Sequence, residues 1–216
     1  MSDDDSNPFS LANLISPKHT AVLVSEMQRG VVGDLAPAIL SPLTDAVTKT
    51  GLIPSVSQLV VGAREAGAQV IHTTLQFRPH RAGVKVVTPW MAVMMRSPDY
   101  LLAGSDQADV VPELSPRDPD IVAKRYHGMS AFAGTDLDML LRGLDIRTIV
   151  FAGVSLNEAI IGAAIEAVNL GYRIVVVRDA VLGVPASFGA DMLRHAFAML
   201  GPVVTIEDAL RVWSNV

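Results

Sequence analysis

No cysteine occurs in the 216 residues, and that one absence removes disulfides, thiolate nucleophiles and cysteine-ligated metals together. Nor is there a block of lysine or arginine. The formal net charge is −5, and without clustered cations to neutralise phosphates the chain offers no footprint for nucleic acid. No apolar run approaches the roughly 18 residues of a membrane-spanning helix, so no membrane partner is expected. The start, Asp3-Asp4-Asp5, is acidic where a signal peptide is basic, and a soluble, cytoplasmic protein is expected. Internal repeats and low-complexity segments are missing too.

What is present reads as an alternating α/β chain. Half of the residues are apolar and 18% are charged, enough to build one core in a single domain spanning 1–216, with 1–18 as an N-terminal extension. Short β-branched apolar runs at Thr20–Ser25, Gln69–Thr74, Asp120–Ala123, Thr148–Phe151, Arg173–Val177 and Val203–Thr205 predict six strands. Between them, apolar residues recur at helical spacing: Ile53, Val56, Leu59, Val60 and Ala63; Leu156, Ile160, Ala163, Ala164 and Ala167; Met192, Leu193, Ala196 and Leu200. Thr135-x-x-Asp138, Ser155-x-x-Glu158 and Thr205-x-x-Asp208 have the form of capping boxes at helix starts, and Gly67, Gly143 and Gly171 mark helix ends. Strands apolar on both faces and joined by helices predict a mainly parallel sheet covered on each side, a Rossmann-like arrangement with ligands beyond the carboxyl ends of the strands. The segment 75–118, broken by Pro79, Pro89, Pro98, Pro112 and Pro116, is expected to form loops and short helices that shape a pocket.

Polar residues at strand ends are the candidates for chemistry. Glu26 follows the first strand, Lys124 follows the third, and the Gly153–Asn157 turn follows the fourth, so a carboxylate, an ammonium and a helix N-terminus can converge. A structural Glu–Lys pair at the sheet rim is the alternative. Arg78 has the chemistry to hold a substrate carboxylate, and His127 lies close behind Lys124. Phe77, Trp90, Phe132 and the Met91–Met95 cluster supply either a pocket wall or core packing. His72 and His80 lack metal-ligand spacing, so neither a catalytic metal nor another cofactor is expected. Gly153-Val-Ser155 partly matches a serine nucleophile elbow, with Asp179 and His195 following in the order of an α/β-hydrolase triad; the second glycine is missing.

Four ordered segments resemble the isochorismatase-like, or cysteine hydrolase, superfamily: Val22-Leu-Val-Ser-Glu-Met-Gln28, Lys124 to Asp138, Gly153-Val-Ser-Leu-Asn157 and Asn169 to Ala180. The resemblance implies a three-layer α/β/α sandwich and a triad of Asp, Lys and Cys, whose positions fall here on Glu26, Lys124 and Ala159. Alanine has no lone pair, which closes the covalent thioester route. Members that act on isochorismate also lack the cysteine and rely on the acid. By this resemblance the chain is a hydrolase of a small anionic or cyclic metabolite that uses Glu26 as general acid or base with Lys124. Whether burial or the Lys124 pairing governs the Glu26 proton decides between acid and base.

The same resemblance assigns Gln28 to substrate contact and expects a non-proline cis peptide at Val154–Ser155. The backbone N–H groups around Leu156–Ala159 offer an oxyanion hole whatever the side chains do, and Ser155, Leu156, Phe132, His127 and Arg78 are expected among the substrate contacts. Two other readings stay open: an inactive member that binds ligand or supports assembly, and a Ser155-dependent hydrolase. A homo-oligomer, dimer or tetramer, is expected from the apolar content.

Overall fold

The computed structural model describes residues 7 and 9–215, so the Asp3–Asp5 start lies outside the described residues. Six strands form one sheet in the order β3-β2-β1-β4-β5-β6. They are β1 (Thr20–Ser25), β2 (Gln69–Leu75), β3 (Ile121–Arg125), β4 (Thr148–Val154), β5 (Arg173–Leu182) and β6 (Val203–Val204). Every neighbouring pair is parallel. The three-layer α/β/α sandwich is as expected, and the central strands explain it: all six residues of β1 and all seven of β4 are buried. Such strands require cover on both faces.

Successive side chains point to opposite faces. Val22, Val24, Val70, Val150 and Val175 pack with helices Leu52–Ala66 and Ile206–Trp213 on one face. Ala21, Leu23, Ile149, Phe151 and Val176 pack with helices Leu137–Gly143 and Ile161–Asn169 and with Phe197 on the other. The extension is tied to the first of these layers, where Ile15 is fully buried and its carbonyl accepts from Trp213 Nε1 at 2.9 Å.

Helix starts follow the capping patterns unevenly. Thr205 and Asp208 form the reciprocal box. Thr135 and Asp138 do not: the Thr135 hydroxyl donates to Ala131 O, and Asp138 binds Arg142 and the Tyr172 hydroxyl. Ser155 and Glu158 do not either, because the Ser155 hydroxyl donates to Asn157 Oδ1 at 2.7 Å. The segment 75–118 contains the helix Pro89–Met94 and short single turns, and it folds over the carboxyl end of the sheet on the Val22 side.

Candidate active site

Beyond the carboxyl ends of β1, β3 and β4 lies a cavity of about 290 Å³, lined by Glu26, Arg125, Ser155, Asn157, Glu158 and Ala159 among apolar side chains. Glu26 leaves β1 with φ 48°, a left-handed backbone that costs a non-glycine residue on the order of 1 kcal/mol. Its N–H is held by Thr73 O at 2.9 Å. Beside it, Gly153 ends the pairing of β4 with β1 at φ 98°, where any Cβ would collide with the Ser25 carbonyl. Only glycine lets the two strand ends approach this closely. The peptide Val154–Ser155 is cis, as the resemblance implied.

The cation facing Glu26 is Arg125, which corrects the expectation for Lys124. Strand β3 runs two residues further than its apolar pattern suggests, so Lys124 and Arg125 lie on opposite faces. Lys124 is exposed and Arg125 is buried. Arg125 Nη2 donates to Glu26 Oε1 in an ion pair whose side chains are 5% and 12% exposed, and its Nε donates to Gly128 O at 3.2 Å.

The second carboxyl group in the cavity, Glu158, was assigned by sequence to a helix cap. After Ser155 the chain makes a wide π-type turn, Leu156–Ile160, in which Ile160 N–H reaches back to Ser155 O at 3.1 Å. That turn brings Glu158 and Ala159 to the cavity together. No hydrogen bond or ion pair reaches the Glu158 carboxyl among the described residues. Burial, then the charge of Glu26, raises its pKa above the ordinary carboxyl value, against the opposing pull of Arg125. Tyr100 closes the far wall; its hydroxyl donates to Gly30 O at 3.1 Å, and burial with the nearby Glu26 charge raises its pKa well above the phenolic range.

Several expected contacts lie elsewhere. Gln28 is fully buried and structural: its amide donates to Leu75 O and Ala108 O, and its oxygen accepts from Leu75 N–H. Arg78 is exposed, with its guanidinium 3.9 Å from the centre of the Tyr126 ring. His127 is exposed and packs by Gly134. Phe132 and Leu156 belong to the core on the other face of the sheet, Phe132 stacking on Tyr172. Of the apolar candidates, Trp90 and Met94 reach the cavity wall, whereas Phe77 is core. No serine triad assembles either. Ser155 is bonded to Asn157, Asp179 accepts from Ile206 N–H, and His195 is exposed on a helical segment. Among the described residues no group of three or more His, Asp or Glu side chains could hold a metal ion.

Arg125 shares the face of the apolar Ala123 by period two, but only because the strand runs past Ala123, which the apolar pattern does not show. Glu158 was hidden, because its spacing from Ser155 imitates a capping box and the wide turn leaves no local signature.

A family model described as isochorismatase domain matches residues 20–208. The uncharacterized isochorismatase family protein YwoC of Bacillus subtilis is 29% identical over 195 residues, covering 88% of this chain and 92% of its own length. The maleamate amidohydrolase of Pseudomonas putida is 28% identical over 164 residues, covering 74% of this chain and 75% of its own. Among solved structures, a cysteine hydrolase from Pseudomonas syringae pv. phaseolicola superposes with a TM-score of 0.79 at 21% identity, over 94% of this chain and 95% of its own, a likeness of fold.

Proposed function

As the chain belongs to the isochorismatase family of hydrolases, we propose that it hydrolyses a small neutral ester, imide or amide by direct attack of water, with Glu26 as base, Glu158 as acid and no covalent enzyme intermediate. The observation that carries this reading is the pair of carboxyl groups in unlike surroundings: Glu26 is ion-paired to Arg125, and the unpartnered Glu158 has its proton affinity raised by burial. A carboxyl group whose proton affinity is raised by burial suits the acid role, and one held by a cation is free to act as base. Ala159, with a side chain of one carbon, leaves room for water where a nucleophile would otherwise stand.

The Glu26 carboxylate takes a proton from water as the water oxygen bonds to the carbonyl carbon. That addition moves the carbonyl π pair to oxygen. When the pair returns, the C–O or C–N bond breaks and Glu158 gives its proton to the departing atom, releasing an acid and an alcohol, amine or amide. The proton held by Glu26 then passes to Glu158 through solvent. Arg125 orients Glu26 through their ion pair. A neutral substrate is favoured because Arg125, the one cation lining the cavity among the described residues, is already engaged, and an anion would meet two carboxyl groups. The expectation of an anionic substrate depended on a free Lys124, which is outside this cavity.

A screen of neutral esters and amides on the native chain and on Glu26→Gln tests the reading. Glutamine keeps an acceptor for Arg125 but takes no proton, so turnover should fall by about 10²–10⁴-fold with the fold intact by circular dichroism. Turnover equal in the two proteins would remove Glu26 from the chemistry. Tight binding without turnover in either would leave a ligand-binding member of the family.

A further inference from the structure

We propose that the substrate carries a straight aliphatic tail that extends from the catalytic cavity into a second, adjoining chamber. The inference rests on the hydrolase reading for the placement of the reactive head. The tail site itself rests on geometry. Next to the first cavity lies another of about 230 Å³, and the two share Ile39, Leu40, Trp90, Met94 and Tyr100 as a common wall.

Polarity changes along the line between them. At one end are Glu26, Arg125 and Glu158; in the second chamber Arg96 is the one charged side chain among the described lining residues, and it is exposed. An amphipathic molecule placed with its scissile bond at the carboxyl groups therefore directs its apolar end toward Trp90. Ile39 lines both spaces, yet it is 59% exposed. A tail laid against it removes that apolar surface from water. The shared wall is also adaptable: Met94 is unbranched and adjusts its rotamer at small cost, which suits a thin chain better than a rigid ring. The second space is formed by the segment 75–118 and the turn around Ile39, which lie outside the sheet.

The test is calorimetric titration of the full chain with straight-chain methyl ketones from butanone to undecanone, whose neutral head cannot be hydrolysed. Affinity should rise about fourfold per added methylene as far as the longer members. Val93→Phe and Ser97→Phe, two independent ways of filling the second chamber, should each stop the rise partway along the series. A plateau at the same short length in the native chain and in both variants would overturn the tail site. Matched esters, with the tail on the acyl side or on the alcohol side, separate this from the catalytic reading. Length-dependent ketone binding without ester turnover upholds the tail site and sinks the hydrolase reading. Turnover that ignores tail length on either side does the reverse.

Discussion

On the proposed reading, the Ala159 methyl stands where the resemblance puts a cysteine thiol, and the neighbouring residues must take over its work. The proposed reaction forms no covalent intermediate, so in it one group activates water and another protonates the leaving atom. Glu158 suits the second task because burial and the Glu26 charge raise its proton affinity. An acid donor works only while protonated. The rate should therefore decline on the alkaline side as pH rises through the raised Glu158 value, and that limb should vanish in Glu158→Gln along with about 10²-fold of kcat/KM. A pH profile of kcat/KM in both proteins checks this, and an alkaline limb that survives the substitution removes Glu158 from the role. Arg125 illustrates the same logic from the side of charge: its guanidinium holds Glu26 with one nitrogen and the Gly128 carbonyl with another, an arrangement a lysine ammonium reproduces poorly.

At the scale of elements, the site exists because strand ends and one wide turn are held in register. Gln28 fixes one of the strand ends. Its amide and oxygen join the end of β2 at Leu75 to the 75–118 segment at Ala108, all within the protein interior. Gln28→Leu keeps the volume but strips partners from a buried N–H and two buried carbonyls. The expected loss is about 2–4 kcal/mol in unfolding free energy, read from urea denaturation. A loss below about 0.5 kcal/mol would mean that this tie contributes little. The register of β3 is the other deciding element. Whether the strand stops at Ala123 or runs to Arg125 determines which of two adjacent cations faces the cavity.

At the scale of the whole molecule, a buried histidine away from the cavity ties stability to pH. His72, on β2, is buried, and neither ring nitrogen has a hydrogen-bond partner among the described residues; Asp120, itself paired to Arg64, stands 3.6 Å from Nε2. Burial, outweighing the attraction of Asp120, lowers the His72 pKa from 6.5 to about 4. In the unfolded chain the imidazole binds its proton near 6.5 and in the folded chain near 4, so the unfolded state holds more protons between these values. Stability from this group is complete above about pH 6.5 and is lost as pH falls toward 4, on the order of 3 kcal/mol in all. His72→Leu should flatten that part of the curve of unfolding free energy against pH relative to the native chain. An identical slope in both proteins would show that His72 is not the group responsible.

The layers were legible in the sequence because they depend on local periodicity. Val22 and Val24 alternate with Ala21 and Leu23, and Leu52–Ala66 repeats at helical spacing, wherever the rest of the chain lies. Glu26 was expected at a strand end and Ala159 by the family resemblance of the segment before it, and both line the cavity. Only the tertiary structure decided that Arg125 and not Lys124 answers Glu26, that Glu158 reaches the cavity, and that Gln28 is structural. The reason is physical: a side chain's face depends on where its strand ends, and a carboxyl group's protonation depends on burial and on charges from distant parts of the chain. Neither is written in the residues nearby.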